Sequence, residues 1–256
     1  MTELGDAVTG IQVGQRVIAA PMAYGCFADR MLAPAAGSLP VPDDMPDSAA
    51  AALFSAYQTS WVGLVRRAAL RAGDTLLVHG AAGGVGSAAV QIGKALGARV
   101  IAVAGGSEKV AACTALGADL VVDHRRDDPV AAVRAFTDGR GVDVAYDPVG
   151  GSAFDVSRKV IAVEGRILVV GFAGGSIPTL AVNHALLKNY SVVGFRLQPF
   201  REDPEYLRRV HGELVTLHAA GMIAPLVSQQ LPLSEAAAAV ARLGERGVLG
   251  RIVLTA

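Results

Sequence analysis

The 256 residues carry 23 Lys plus Arg against 23 Asp plus Glu, so no overall field draws the chain to nucleic acid or to an anionic membrane. Hydrophobic residues make up 52% and aromatics only 5%, leaving an excess of Ala, Val and Leu that suits one large α/β unit with a second small lobe. Two cysteines, Cys26 and Cys113, form no Cys-x-x-Cys pair. That argues against a disulfide framework or a structural zinc lobe and predicts two small, partly buried hydrophobes.

Met1–Asp6 lacks the basic and apolar regions of a signal peptide, which makes the cytoplasm the expected compartment. Between residues 11 and 42, the run Ile11–Ala20, then Tyr24–Arg30, then Leu39–Pro42 read as short strands with Gly and Pro turns, an antiparallel β lobe. Asp47 is placed to cap a helix through Ala49–Leu53, and a second helix is predicted over Thr59–Arg67.

The segment Thr75–Gly86 carries the most information. The apolar run Leu76–Val78 predicts a buried parallel strand, and a loop of small residues leads into a helix from Val85 to Leu96, ended by Gly97. Strand, glycine turn and helix start together make a socket for a pyrophosphate, because glycines admit the anion and free N–H groups meet its charge. Aligned to G-x-G-x-x-G, the residues are Ala81, Gly83 and Gly86, so the first glycine is missing. The flanks favour a dinucleotide site over a plain Gly-rich turn.

The end of the next strand, Arg99–Val103, selects the dinucleotide. An NAD site places an acid there for the adenine ribose, whereas this chain has Ala104, and the first acid, Glu108, comes later on the following helix. Ser107 offers a hydrogen bond and Lys109 a positive charge, which favours NADPH over NADH. Ser107 also reads as a helix N-cap and Lys109 as a solvated helix residue. Further strands are predicted at Leu120–Val122, Val142–Tyr146, Arg166–Val170 and Ser191–Gly194, with helices at Glu108–Leu116, Pro129–Thr137 and Phe154–Val163. This alternation predicts a doubly wound parallel sheet with its ligand at the carboxyl ends of the strands. Helices at Pro204–Ala219 and Ser234–Leu243 precede a closing strand, Gly250–Leu254, so the β lobe is expected to draw on both termini. The uncharged stretches Thr75–Gly93 and Ile167–Leu187 are broken by Gly clusters and read as buried strands joined by cofactor loops, not as membrane spans.

Gly14–Val17, Ala81–Gly86, Leu116–Asp119, Asp147–Gly151, Val170–Gly174, Leu187–Asn189 and Gly250–Leu254 resemble the zinc-independent quinone oxidoreductases of the medium-chain dehydrogenase/reductase superfamily. The resemblance runs from about Gly5 to the C-terminus. It implies an α/β fold in which a Rossmann doubly wound parallel sheet joins a partial GroES-like β lobe built from both termini. The implied division is 1–56 for the lobe, 57–222 for the Rossmann domain and 223–256 for the return to the lobe. It also implies NADPH, hydride transfer to quinones or α,β-unsaturated carbonyls, and a homodimer joined through the edge strand Ser191–Phe195. Zinc-dependent relatives have a Cys ligand just before the Rossmann domain, and Ala49–Tyr57 contains none, in keeping with a zinc-free reaction. Relatives also begin with a further segment that lines the nicotinamide end. The expectation is therefore either a truncated start or a chain that binds NADPH but turns over slowly.

By this resemblance Gly83, Gly84 and Val85 lie against the pyrophosphate, and Ser107 and Lys109 face the 2′-phosphate. His124 stands where relatives often have a Tyr beside the adenosine, or is a solvent-facing loop residue. Phe172 and Ala173 match the loop passing the nicotinamide ribose, Thr59 a residue near the nicotinamide phosphate, and Arg251 a basic residue of the closing lobe. Thr59 equally reads as a helix residue bonded to its own backbone, and Arg251 as a surface charge. Tyr57 is the one candidate proton donor, with a buried core role as the alternative. Three functions compete: an NADPH-dependent quinone or enone reductase, a non-catalytic NADPH-binding protein, and an enoyl reductase domain of a polyketide or fatty-acid synthase.

Overall fold

A computed structural model describes residues 1–20, 25–245 and 247–256. Near its start, β1 (Val17–Ile18) pairs antiparallel with β2 (Leu39–Pro40). Arg16 fastens this ribbon by donating to the carbonyls of Pro42 (2.9 Å), Asp43 (3.2 Å) and Met45 (2.6 Å) and to the carboxylate of Asp47. Asp47 is consequently the first residue of α1 (Asp47–Trp61) and not its cap, a position held by Pro46. Tyr24, in the expected second strand, lies outside the described residues, and residues 25–34 form no strand. Cys26 is exposed, contrary to expectation, while Cys113 is buried.

The two helices predicted before the sheet are one. No Gly or Pro interrupts residues 47–62, so α1 runs directly into a π-helical stretch, Val62–Arg67. The expected division at 56/57 falls inside this continuous helix.

Then strand and helix alternate: β3 (Thr75–His79), α2 (Gly84–Ala95), β4 (Arg99–Ala104), α3 (Ser107–Ala115), β5 (Leu120–Asp123), α4 (Pro129–Phe136), β6 (Val142–Asp147), α5 (Ser152–Val160), β7 (Ile161–Val169), α6 (Asn183–Lys188) and β8 (Ser191–Gly194). The strands form one parallel sheet in the order β5-β4-β3-β6-β7-β8, the Rossmann order with β3 as its first strand. Every residue of β3 is buried, as a strand covered on both faces requires. Each fully buried Leu or Val there contributes about 1.5–3 kcal/mol. One core joins α1, α2 and α7 (Pro204–Ala219) to the sheet, and a second lies under α4 and α5.

Three expectations are corrected. Helix α5 stops at Val160 because Ile161 already pairs with Val142 of β6, so the predicted helical end at Val163 is strand. The stretch after β7 is largely exposed, with Ile177, Val182, Leu186 and Leu187 facing solvent, and ends in the unpredicted α6. The polar strand β9 (Val227–Pro232) was also not foreseen; it is joined by α8 (Ala236–Gly244) to β10 (Arg251–Thr255) and pairs with it in parallel. Among the described residues β9–β10 and β1–β2 form separate two-stranded sheets, the antiparallel one fitting a partial GroES-like lobe. No helix among the described residues is long and apolar enough to cross a membrane.

Candidate functional site

β3 and β6 are neighbours from which the strand order runs in opposite directions, and a crevice opens at their carboxyl ends. Its centre is the loop from Gly80 to Gly83. Gly80 has φ +57°, Gly83 donates to the Gly80 carbonyl at 2.9 Å, and Gly83 is the N-cap of α2. A β-carbon at Gly86 would stand 2.1 Å from the Gly80 oxygen, so only glycine lets loop and helix close on each other. The first turn of α2 is held from behind by Ser60, whose buried hydroxyl donates to the Val85 carbonyl (2.8 Å) and meets the Tyr146 hydroxyl at 2.9 Å.

A cleft of about 380 Å3 extends from this loop, lined by His79, Gly83, Ala104, Gly105, Lys109 and His124 among others. Of the residues singled out from sequence, Gly83, Lys109 and His124 are therefore brought together. Gly84 and Val85 follow in the first turn of α2, half-buried. Ser107 is the exposed first residue of α3 and makes no side-chain cap; Gly106 holds the N-cap position at φ +96°.

The turn after β4 is pinned by Asp123, whose Oδ1 accepts from the backbone N–H of Gly106 (3.0 Å) and of Arg125 (3.1 Å). Those two bonds hold its carboxyl below the usual carboxylate range. They also hold His124 and Arg125 over the turn. A β-carbon at Gly105 would lie 2.6 Å from His124 Nε2 and 3.1 Å from Arg125 Nε, and one at Gly106 3.2 Å from Arg125 Nη1. Arg125 was not anticipated, although its place directly after His124 at a strand end was a signal. Lys109, His124 and Arg125 thus converge where an NAD site would present an acid.

After β6, Asp147 is buried; its Oδ1 accepts from Val149 and Gly150 N–H, both at 2.9 Å. Ala173 and Gly174 donate to the carbonyls of Pro148 (3.0 Å) and Val149 (2.9 Å), placing the exposed Phe172 and Ala173 beside that turn. Thr59 is on α1 and donates to the Ser55 carbonyl at 2.7 Å. Neither it nor Phe172 and Ala173 lines the cleft.

Arg251 reaches the glycine loop from the other end of the chain. Gly250 donates to the Ala82 carbonyl at 2.7 Å, and the guanidinium of Arg251 lies against Gly84. Burial lowers its pKa, and its Nε is buried with no partner. Arg251 also lines a second hollow of about 350 Å3, with Cys26, Phe27 and Ser55.

Tyr57 is 1% exposed. Its hydroxyl accepts from Gln91 Nε2 (2.7 Å) and donates to the Ala224 carbonyl (3.2 Å), while Ala224 N–H donates to Gln91 Oε1 (2.6 Å). Burial pushes the phenol's pKa up against the opposing effect of the Gln91 bond. The ring ties α1, α2 and the segment before β9 together.

Among the described residues no three His, Cys, Asp or Glu side chains gather in a way that could hold a metal ion.

The family described as zinc-binding dehydrogenase matches residues 84–212. The quinone oxidoreductase-like protein 2 homolog of Nematostella vectensis is 32% identical over 257 residues, covering 99% of this chain and 70% of that protein. The phthioceranic/hydroxyphthioceranic acid synthase of Mycobacterium tuberculosis is 33% identical over 255 residues, 99% of this chain, which spans only 12% of the synthase. Escherichia coli quinone oxidoreductase, solved with NADPH, superimposes with a TM-score of 0.92 at 29% identity, covering 100% of this chain and 79% of that one. The zinc named by the family description finds no matching donor set among the described residues.

Proposed function

This chain belongs to the quinone oxidoreductases of the medium-chain dehydrogenase/reductase superfamily, and from that premise we propose that it is an NADPH-dependent, zinc-independent reductase of quinones or α,β-unsaturated carbonyls. One observation carries the cofactor choice: Lys109, His124 and Arg125 converge on a turn whose preceding residue is Ala104, with no acid to repel a 2′-phosphate. Gly83, Gly84 and Val85 would hold the pyrophosphate on the start of α2. Ser107, Lys109, His124 and Arg125 would hold the 2′-phosphate, with Phe172, Ala173 and Thr59 towards the nicotinamide half and Arg251 closing over the phosphates. Bound NADPH supplies the hydride; the protein's part is to orient the reacting carbon and keep water out. The exposed edge strand β8 and Phe195 would join two copies in a homodimer. Following NADPH oxidation with a simple quinone, beside NADH, tests this reading, and equal use of both cofactors would refute its cofactor half.

A second reading rests on the 33% identity to polyketide synthases: the chain reduces enoyl thioesters. Comparing a quinone with a 2-enoyl thioester under the same conditions separates the two. A protein that binds NADPH and reduces neither is the non-catalytic alternative.

A further inference from the structure

His79 ends β3 directly before the glycine loop, 3% exposed, and its ring lines the cleft. Its Nε2 lies 2.9 Å from the hydroxyl of Ser157, which is fully buried on α5. Among the described residues Ser157 Oγ has no other hydrogen-bond partner. A buried hydroxyl proton needs an acceptor, so Ser157 donates to Nε2. Neutral His79 must then carry its own proton on Nδ1. The negative charge of neighbouring Asp147, whose Oδ2 is buried without a partner, favours that tautomer. Burial keeps the ring neutral, with its pKa lowered to about 4. His79 thus brings a fixed N–H donor to the wall of a cleft whose other walls here are apolar: Val103, Pro129, Val149, Ala153 and Val156.

The phosphate-binding parts of the cleft lie elsewhere, at the start of α2 and at the Gly105–Gly106 turn. The apolar slot beside them has the character of a site for a flat heteroaromatic ring with acceptor nitrogens. We propose that His79, fixed by Ser157, donates from Nδ1 to a ring nitrogen of the cofactor's adenine and so makes the site selective for that base. The proposal rests on NADPH as the cofactor. It makes His79 a cofactor-binding residue of the adenosine half, with no part at the nicotinamide.

Two replacements separate the ring's two edges. His79→Asn sets an amide N–H close to the place of Nδ1, whereas His79→Gln reaches towards Ser157 and leaves the Nδ1 place empty. Binding would be measured by calorimetry for NADPH, for 2′-phosphoadenosine diphosphate ribose, which lacks nicotinamide, and for reduced nicotinamide mononucleotide, which lacks adenosine. Thermal unfolding would confirm that both variants are folded. The expected result is a roughly five- to tenfold weakening of the first two ligands in His79→Gln, one hydrogen bond's worth. His79→Asn should stay near wild type, and the mononucleotide should be unchanged in both. Ser157→Ala, which frees the ring to turn, should lose part of the same affinity. Equal losses in Asn and Gln, a parallel loss for the mononucleotide, or no loss at all would overturn the proposal. Wild-type protein that binds neither NADPH nor its adenosine fragment would overturn the cofactor reading itself, and this one with it.

Discussion

Arg251 lies so close on Gly84 that a β-carbon there would stand 2.6 Å from its Nε. The last strand thereby delivers a cation, stripped of much of its solvent, to the first residue of the helix whose free N–H groups await an anion. Arg251→Ala should weaken NADPH binding about tenfold or more, the scale of a charge-assisted hydrogen bond. Gly84→Ala should also weaken it by displacing the guanidinium. Because both act through one contact, Gly84→Ala should cost less in the Arg251→Ala background, and calorimetry on the four proteins would show it. Strictly additive losses would mean that Arg251 and Gly84 act apart.

NADPH should bind at least about tenfold tighter than NADH, a difference of about 1.4 kcal/mol. Lys109→Ala and Arg125→Ala should each narrow that gap with NADH affinity almost unchanged, and the gap should shrink as salt is raised. Titrations of both cofactors against each variant test this. A variant that loses both affinities alike would place its side chain away from the 2′-phosphate.

The Rossmann half was legible because its signals are local. β3 is a run of buried apolar residues, Ser191–Gly194 coincides with β8 and Pro204–Ala219 with α7, and Gly97 and Gly117 punctuate helix ends at positive φ. The errors lay where distant partners decide. Asp47 looks like a cap until Arg16 takes its carboxylate, and Ile161–Val163 looks helical until β6 pairs with it. β9 reads Val-Ser-Gln-Gln-Leu-Pro, without clear alternation, and is a strand because β10 lies beside it. At the cleft, motif alignment led to Gly83, Lys109 and His124. Arg125 and His79 were missed because their roles depend on the turn that Asp123 folds and on a hydroxyl 78 residues away.

Stability should fall as the solution is acidified from neutrality. His79 has a native pKa of about 4, lowered by burial against the opposing charge of Asp147, so the unfolded chain takes up its proton first, near the ordinary 6.5. Its contribution to stability is therefore complete above about 6.5 and declines as pH falls towards 4. Buried His211, whose Nε2 donates to the Pro40 carbonyl at 2.8 Å while Nδ1 has no partner, is lowered in the same direction. From pH 7 to pH 5 the His79 share is on the order of 2 kcal/mol. Urea unfolding at the two pH values should show that drop, smaller in His79→Asn whatever that variant's stability at pH 7. A variant with an undiminished drop would assign the acid sensitivity to other groups.

Tyr57 offers the sharpest division between a chemical and an architectural role. Its hydroxyl is spoken for on both sides, by Gln91 and by the Ala224 carbonyl, and burial holds the phenol firmly protonated. Tyr57→Phe would leave Gln91 Nε2 with its 3.3 Å bond to the Ser87 carbonyl and deprive the Ala224 carbonyl of this donor. A loss of about 1–2 kcal/mol of stability is expected from such a deletion. The effect should be seen in the thermal midpoint and in weaker docking of the segment before β9, which hydrogen exchange would report at Ala224, whose N–H is held by Gln91. Turnover with a simple quinone should stay within about threefold of wild type, far short of the hundredfold or greater loss that removing a general acid produces. A Tyr57→Phe protein with native stability and a collapsed kcat would reverse this assignment and make the phenol the proton donor.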